Sequence, residues 1–330
     1  MNVRRRWLTV VAALVLGLPI AGWAALQLPK AKLAAGSLEL PVGSSAVQLA
    51  GLLRDEHEMT LPVWAFRWLA RMNGNAGRLQ AGEYTLGKSE TVGSLLQRVV
   101  AGDVVRRRVV LIEGWTFREV QAALNRSVRL RHDLVGMNQA QIRSKLGIKR
   151  PSLEGLFLAD TYEYVAGMSD VDILKLAHQR METVLAEAWT KRAPGLPYRA
   201  PYEALVMASL VEKETGRAEE RAEIAAVFVR RLRLGMRLQT DPTVIYALGE
   251  HFDGNIRKAD LSLDSPYNTY VYSGLPPTPI ALCGIDALRA SLHPAASEAL
   301  YFVARGDGSS EFSNSLDAHE RAVNRYQRGQ

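Results

Sequence analysis

The sequence has very little cysteine and few histidines, and both shortages limit its chemistry. Among 330 residues there is one cysteine, Cys283, so an internal disulfide and a cluster of metal-binding thiolates are excluded. We interpret Cys283 as a small packed side chain. The six histidines include no pair at the spacing that places two ligands on one helix face. Neither a metal nor a cofactor is expected.

Several common catalytic signatures are also missing. The sequence has no G-x-S-x-G nucleophile motif, no H-E-x-x-H zinc motif and no G-x-x-x-x-G-K phosphate-binding loop. Internal repeats and low-complexity tracts are absent as well. What is present is a chain of 330 residues, 48% of them hydrophobic, which is enough for two domains and at least one large core.

The charge is moderately basic. Lys and Arg outnumber Asp and Glu by 41 to 34, a net charge of +7, which suits an anionic neighbour such as a lipid headgroup or an acidic polymer. Aromatic residues do not interleave with a basic stripe, so a nucleic-acid partner is not expected.

An uncharged stretch of 22 residues, 7–28, follows Arg4, Arg5 and Arg6. At about 1.5 Å per residue it would cross a bilayer core of about 30 Å, and the arginines predict a cytoplasmic N-terminus. A cleaved signal peptide is the alternative, but the stretch exceeds the usual apolar region of about 7 to 15 residues and no clear cleavage site follows. We predict a single uncleaved anchor within residues 1–29, with the remainder outside the cytoplasm.

A short tether over residues 30–37 and a compact α/β module over residues 38–102 are expected next. Trp64, Trp68 and Met72 recur every four residues, which predicts one buried helix face rather than a ligand platform. The pattern of caps, breakers and apolar residues predicts strands at 38–42 and 82–86, and helices from Ser44 or Ser45 through 53, over 62–72 and over 92–100.

A larger mixed domain is predicted over residues 103–330, which makes the overall class α+β. The segment 153–162 lacks helical or strand periodicity and is interpreted as a structured loop that could line a site. Strands are predicted over 104–112 and 300–304 and around Phe312, and helices over 117–124, 170–191, 201–215, 219–234 and 317–327.

Two glutamates at the end of the 201–215 helix are candidates for acid chemistry. Met207, Leu210, Val211 and Glu214 follow one another at i, i+3, i+4 and i+7, so Glu214 extends an apolar stripe while Glu212 points away from it. Burial disfavours a charged carboxyl and raises its pKa toward the range of a general acid. Glu214 is the better candidate, although both glutamates could be ordinary solvated helix residues.

Six motifs, in this order, resemble the endolytic murein transglycosylase family (MltG-type, YceG-like), membrane-anchored enzymes that cut nascent peptidoglycan strands. The resemblance covers nearly all of the chain after the anchor. The motifs are LEGLFLADTY at 153–162, ASLVEKET at 208–215, RLQTDPTVIY at 237–246, SPYNTY at 265–270, GLPPTPI at 274–280 and LYFVA at 300–304.

The resemblance implies that Glu214, the second glutamate of ASLVEKET, is the catalytic acid and base. It also implies that residues 38–102 form a LysM-like, glycan-binding module, and that the catalytic domain is periplasmic on a single-pass inner-membrane protein. Glycan strands are the implied partner, and cell-wall synthesis machinery is implied by the resemblance alone. Three residues depart from the family pattern, and the last puts a C-terminal histidine role in doubt: Ala159, Thr278 and Ser310.

In a lytic transglycosylase the sugar's own 6-hydroxyl replaces water, so one carboxyl can act as acid and then as base, unlike the carboxylate pair of most glycosidases. The product end is 1,6-anhydro-N-acetylmuramic acid. A hydrolase in which Asp241 or Glu212 activates water, and a non-catalytic glycan-binding scaffold, are the alternatives. Six polar residues are expected to line the cleft, although each could instead fix a turn: Gln239, Asp241, Tyr267, Asn268, Glu154 and Tyr162.

Overall fold

The computed structural model describes residues 28–72 and 77–329. These residues form helices and small two-stranded sheets, which confirms the α+β class. The fold divides into two compact units. Unit 1 contains the described residues up to Arg107 together with Arg129–Arg131 and Glu163–Met168, and unit 2 contains Arg108–Val128, His132–Tyr162 and the described residues from Ser169 onward.

Unit 1 is built on one antiparallel pair of strands covered by helices. In order, its elements are β1 (Gly36–Leu40), α1 (Ala46–Glu56), α2 (Val63–Met72), β2 (Gly82–Leu86) and α3 (Val92–Ala101). The strands pair from Gly36 opposite Leu86 to Leu40 opposite Gly82. Their inward side chains, with the apolar faces of the helices, form one continuous core.

Local capping signals determine where the helices of unit 1 begin and end. Ser45 and Thr91 each accept a hydrogen bond from the backbone of the third helical residue, and each has the reciprocal side-chain bond of a capping box. The helix α3 ends at Gly102, whose φ of 71° is left-handed. These starts and this end confirm the predicted helices.

The segment that precedes β1 packs against unit 1 and forms hydrogen bonds with it. Leu28–Lys30 forms a 3₁₀ turn that contacts α2 and α3, and Leu28 packs against the core. The Leu33 N–H donates to the Glu90 carbonyl at 3.0 Å and the Leu33 side chain is buried. The expected tether, residues 30–37, is therefore held against the module by backbone hydrogen bonds.

The prediction that Trp64 and Trp68 belong to the core is wrong. Trp64 is 72% exposed and Trp68 is 39% exposed. The helix α2 instead buries a neighbouring stripe that includes Phe66 and Leu69. Both stripes satisfy helical spacing, so periodicity does not distinguish them, and the packing of α2 on α1 decides which one is buried.

The predicted membrane anchor lies almost entirely outside the residues that the structure describes. Residues 7–27 of the expected anchor lie outside the described part of the chain. Within residues 28–72 and 77–329, the structure has no helix that is both long enough and apolar enough to cross a bilayer.

Unit 2 is mainly helical. Its helices are α4 (Phe117–Asn125), α5 (Gln139–Leu146), α6 (Asp170–Thr190), α7 (Pro201–Glu214), α8 (Arg221–Arg233), α9 (Asp241–Leu248), α10 (Ile285–Leu292) and α11 (Leu316–Gln327). Two further strand pairs occur in the chain: β3 (Arg106–Val110) with β4 (Thr161–Val165), and β5 (Tyr301–Ala304) with β6 (Ser310–Ser313).

The helix α7 is the centre of unit 2. All of its residues from Ala204 to Val211 are buried, and α6, α8, α9 and α10 pack around it. The sequence predicted α7 and α8 closely but did not predict α9 or α10. Both missed helices are eight residues long, too short to show a clear apolar period.

The predicted loop at 153–162 is irregular as far as Asp160, after which β4 begins. Gly155 lies in this loop with a φ of +73°. A Cβ atom there would lie 2.4 Å from the Cβ of Pro279 and 3.2 Å from the Ala281 carbonyl oxygen. Glycine therefore allows this loop to pack directly against the 279–281 segment.

Replacing Gly155 with Ala should lower the free energy of unfolding by about 2–5 kcal/mol, because the left-handed backbone costs about 1–2 kcal/mol and overpacking about 1–3 kcal/mol. Gly147→Ala is the matched control: its φ is also +73°, but no atom lies within 4 Å of the added Cβ. Urea unfolding of both variants separates the two costs. Equal losses would show that the contact with Pro279 contributes nothing.

Candidate active site

Glu214 is the last residue of α7, at the point where this buried helix reaches the surface of unit 2. The helix starts with Pro201 at its first position, where a missing N–H costs nothing. The stripe of Met207, Leu210 and Val211 is fully buried, and Glu214, one turn further on, is half-buried. The carboxyl group is thus carried by a helix fixed in the core.

A buried threonine holds this carboxyl group. Thr240 Oγ1 donates to Glu214 Oε2 at 2.5 Å. Thr240 is itself 1% exposed, and its N–H donates to Thr269 Oγ1 at 3.1 Å. Thr240 is the residue immediately before α9, so the junction of Gln239 and α9 is tied to the end of α7.

Burial raises the pKa of Glu214 to about 7. Desolvation is the largest cause, and the negative charge of Asp241 acts in the same direction. The hydrogen bond from Thr240 and the positive charge of Arg231 oppose the rise by stabilising the carboxylate. A carboxyl group that is half protonated near neutrality can both donate and accept a proton.

Glu214 opens into a cavity of about 510 Å³. Its wall combines the end of α7 with α8, α9, β5, β6 and α11, and all of these lie in unit 2. The polar and aromatic residues of the wall are Glu214, Arg231, Gln239, Asp241, Tyr270, Tyr301, Phe302, Ser310, His319 and Gln327.

Gln239 and Asp241, two of the residues expected in the cleft, line this cavity beside Glu214. Gln239 has a φ of +50°, an uncommon backbone for a residue other than glycine. Its N–H donates to the Thr269 carbonyl at 3.2 Å, which holds this conformation. Asp241 accepts a hydrogen bond from the Tyr270 hydroxyl at 2.6 Å.

Tyr267 and Asn268 have structural contacts instead. Asn268 is fully buried, and its amide nitrogen donates to the carbonyls of Leu261 and Leu263 at 3.1 and 2.8 Å. The Tyr267 hydroxyl bonds to Thr278 at 2.9 Å. The structure places neither side chain in the wall of the 510 Å³ cavity.

Glu154 lines a second cavity, of about 590 Å³. Its carboxylate accepts hydrogen bonds from the Phe117 N–H at 2.9 Å and from the Tyr246 hydroxyl at 3.2 Å. Burial raises the pKa of Glu154 to about 7. Tyr162 lies apart from both cavities, because it is 1% exposed and its hydroxyl donates to the Leu158 carbonyl at 2.7 Å.

Glu212, the other carboxyl of the α7 end, has a different environment. Its side chain is 5% exposed and forms an ion pair with Arg221 at 3.2 Å. It also accepts a hydrogen bond from the Gly284 N–H at 2.9 Å. Burial raises the pKa of Glu212, against the opposing effects of Gly284 and Arg221. It is therefore neither solvated nor in the cavity with Glu214, and it connects α7 to the start of α10.

Several cavity residues were missed by sequence reasoning. Arg231 is 7% exposed and donates to the carbonyls of Leu300 and Leu238 at 2.7 and 2.6 Å. Arg231 lies four residues after the buried Val227 in α8, so helical spacing was a usable signal. His319 and Tyr301, which stack at 5.2 Å, come from the last part of the chain, and no local pattern connects them to Glu214.

The C-terminal part therefore does supply a histidine to the cavity, from α11. Burial lowers the pKa of His319, and the nearby positive charge of Arg231 adds to this. Ser310, one of the three residues at which the chain departs from the pattern implied by the resemblance, bonds to Glu220 through its N–H and hydroxyl at 2.8 and 2.9 Å. His319 and Ser310 thus line the same 510 Å³ cavity, and the histidine comes from α11.

Comparison with known proteins identifies the family of the chain. A family model described as YceG-like matches residues 38–325. The endolytic murein transglycosylase of Bacillus subtilis (strain 168) is 30% identical over 88% of this chain and 84% of that protein. The endolytic murein transglycosylase of Streptococcus pneumoniae (strain D39) is 28% identical over 86% of this chain, which spans 57% of that longer protein.

A solved structure gives the same result for the fold. A protein of Listeria monocytogenes described as yceG-like is 28% identical, with a TM-score of 0.55, and the match covers 87% of this chain and 98% of that one. The chain belongs to the YceG-like family. The family expected from the six motifs is thereby confirmed, and its curated members named above are endolytic murein transglycosylases.

Two neighbouring substitutions should move the pKa of Glu214 in opposite directions. Thr240→Val removes the donor that stabilises the carboxylate, so the pKa should rise further above 7, whereas Asp241→Asn removes a repelling charge, so it should fall. Carbon NMR titration of labelled glutamate carboxyls measures both, and Glu214→Gln identifies the resonance. Shifts of the same sign would contradict this account of the site.

Proposed function

We propose that this chain is a lytic transglycosylase that cleaves the bond between N-acetylmuramic acid and N-acetylglucosamine within peptidoglycan strands. It is an enzyme of the lyase type, as its family and the names of its relatives indicate. The observation that carries the proposal for the site is Glu214: a half-buried carboxyl in a 510 Å³ cavity, with a pKa of about 7.

Protonated Glu214 donates its proton to the glycosidic oxygen as the bond from that oxygen to the muramic acid C1 breaks. The resulting carboxylate then takes the proton of the 6-hydroxyl of the same sugar, and the 6-oxygen forms a new bond to C1. No water is consumed, and Glu214 returns to its protonated form. One residue serves both steps because its pKa lies near neutrality.

Thr240 is the positioning residue in this proposal. Its hydroxyl holds Glu214 Oε2, which leaves the other carboxyl oxygen, Oε1, for the substrate. Gln239 and Asp241 bind sugar hydroxyls from the same wall. The negative charges of Asp241 and of ionised Glu214 stabilise the positive charge that develops at C1 in the transition state.

The two cavities suit a long substrate. Asp241 lines the 510 Å³ cavity and Pro242, the next residue, lines the 590 Å³ cavity that contains Glu154 and Tyr246. Both cavities therefore border the first turn of α9. A glycan strand cut at an internal bond has sugars on both sides of that bond, and we assign Glu154 to binding on the second side.

The location proposed for the enzyme follows from residues 7–28. They anchor it in the cell inner membrane, with the N-terminus cytoplasmic and the catalytic domain periplasmic. Residues 38–102 form a LysM-like module that binds glycan, and the cell-wall synthesis machinery is a further partner. Support for this organisation comes from the apolar stretch and the family membership.

A hydrolase is the second candidate, because a second carboxyl, that of Asp241, lines the same cavity as Glu214. In that mechanism Asp241 activates water. The Tyr270 hydroxyl donates to Asp241, which occupies part of its capacity to accept a proton. Mass spectrometry of the products decides between the two, since an anhydro end is lighter than a hydrolysed end by one water.

Glu214→Gln should lower the turnover of purified glycan strands by about 10²–10⁴, the usual contribution of a positioned acid and base. The fold should be retained, because Gln keeps the shape and can still accept the Thr240 hydrogen bond. The matched control is Glu203→Gln in the first turn of the same helix, which should retain activity. Full activity of Glu214→Gln would favour a glycan-binding scaffold or another catalytic residue.

The pH dependence follows from the same carboxyl group. Because the first step needs protonated Glu214, kcat/KM should fall about tenfold per pH unit above about 7, the pKa of Glu214. A carboxyl group with an ordinary pKa of about 4.3 would lose activity from that pH upward. Initial rates on glycan strands between pH 4 and 9 test this, and Thr240→Val should move the alkaline limb to higher pH.

A further inference from the structure

The helix α2 has two different faces. Its buried face includes Phe66 and Leu69, which belong to the core of unit 1. Its exposed face consists of Trp64, Arg67, Trp68 and Arg71, at i, i+3, i+4 and i+7 along the helix. We call these four residues the Trp-Arg face. It alternates aromatic and basic side chains, so the expectation that aromatic residues do not interleave with basic ones is wrong for this helix.

The composition of the Trp-Arg face is unusual for a surface in contact with water alone. Trp64 and Trp68 are 72% and 39% exposed, although large aromatic side chains are normally buried. Within the described part of the chain, neither Arg67 nor Arg71 takes part in an ion pair. The face thus combines uncovered indole rings with two cationic groups that are available to an anionic partner.

The position of the Trp-Arg face in unit 1 indicates which partner it could have. The uncharged stretch 7–28 ends in the Leu28–Lys30 turn, and this turn contacts α2 directly. Pro29 packs closely on α3 at Gly93, where a Cβ atom would come within 2.8 Å of the Pro29 Cβ. The Val92 N–H also donates to the Ala31 carbonyl at 2.9 Å. The end of the apolar stretch is therefore fixed beside α2 rather than joined by a free linker.

From these observations we propose that the Trp-Arg face docks on the surface of the bilayer that residues 7–28 anchor, with anionic lipid headgroups as its partner. This inference rests on the anchor in the proposed function. Trp side chains favour the headgroup region because their rings are apolar and carry one N–H donor. Arginines beside them are attracted to the negative surface of the membrane. Docking would hold unit 1 against the membrane.

The experiment uses the full chain in proteoliposomes and the quenching of tryptophan fluorescence by lipids with brominated acyl chains. The first variant replaces Trp7, Trp23, Trp115 and Trp189 with Phe, which leaves Trp64 and Trp68 as the fluorophores. In vesicles containing phosphatidylglycerol, brominated lipid should quench their emission at least about twofold more than in a matched variant with Val47→Trp as its only tryptophan. Val47 is exposed on α1.

The charge contribution has its own variant. Arg67→Gln with Arg71→Gln should reduce the quenching of Trp64 and Trp68 by about half or more, and vesicles of phosphatidylcholine alone should reduce it similarly. Far-UV circular dichroism checks that each variant folds. Equal quenching of Trp64, Trp68 and the Val47→Trp control, or no quenching at all, would overturn the proposal. So would protection of Trp64 and Trp68 from acrylamide by glycan strands but not by bilayers.

A single-tryptophan variant that retains only Trp23 separates this inference from the proposed anchor. If Trp23 is quenched by brominated lipid and the Trp-Arg face is not, the anchor stands and the docking surface is wrong. If Trp23 is not quenched, the anchor fails, and the docking proposal fails with it. Glycan cleavage by the same preparations reports separately on the catalytic part of the proposed function.

Discussion

The burial of α7 is the constraint on which unit 2 depends. Its residues from Ala204 to Val211 are all inaccessible to water, and four other helices pack around them. A helix fixed on all sides places its last residue with little freedom, so Glu214 emerges at a defined point on the cavity wall. The same burial removes water from one side of the carboxyl group, which is the main reason that the pKa rises.

The groups around Glu214 are held by the backbone as much as by side chains. The N–H groups of Gln239 and Thr240 both bond to Thr269, and Thr243 Oγ1 contacts Thr269 Oγ1 at 2.9 Å. This buried network fixes the left-handed residue Gln239 and the start of α9 together. Strain at Gln239 is tolerated because its neighbours hold it, a situation common at functional sites. The part of the cavity wall beside Glu214 is thus preorganised before substrate binds.

Sequence reasoning succeeded where neighbouring residues alone determine the local structure. Ser45 and Thr91 begin helices because their side chains satisfy free N–H groups, and Gly102 ends one because it tolerates a positive φ. The apolar stripe through Met207 selected Glu214 by the same kind of argument. Reasoning failed for Trp64, because two stripes with helical spacing run along α2 and only the packing of its neighbours chooses between them.

By itself the sequence determined the family through the order of its motifs, the α+β class, most helix limits and the half-buried carboxyl at the end of α7. The tertiary structure decided which residues share a cavity with that carboxyl. Gln239 and Asp241 line that cavity, whereas the Asn268 side chain is buried and donates its hydrogen bonds to backbone carbonyls. His319, more than a hundred residues from Glu214, joins it because α11 packs on the β5–β6 pair. Such long-range contacts leave no trace in local periodicity.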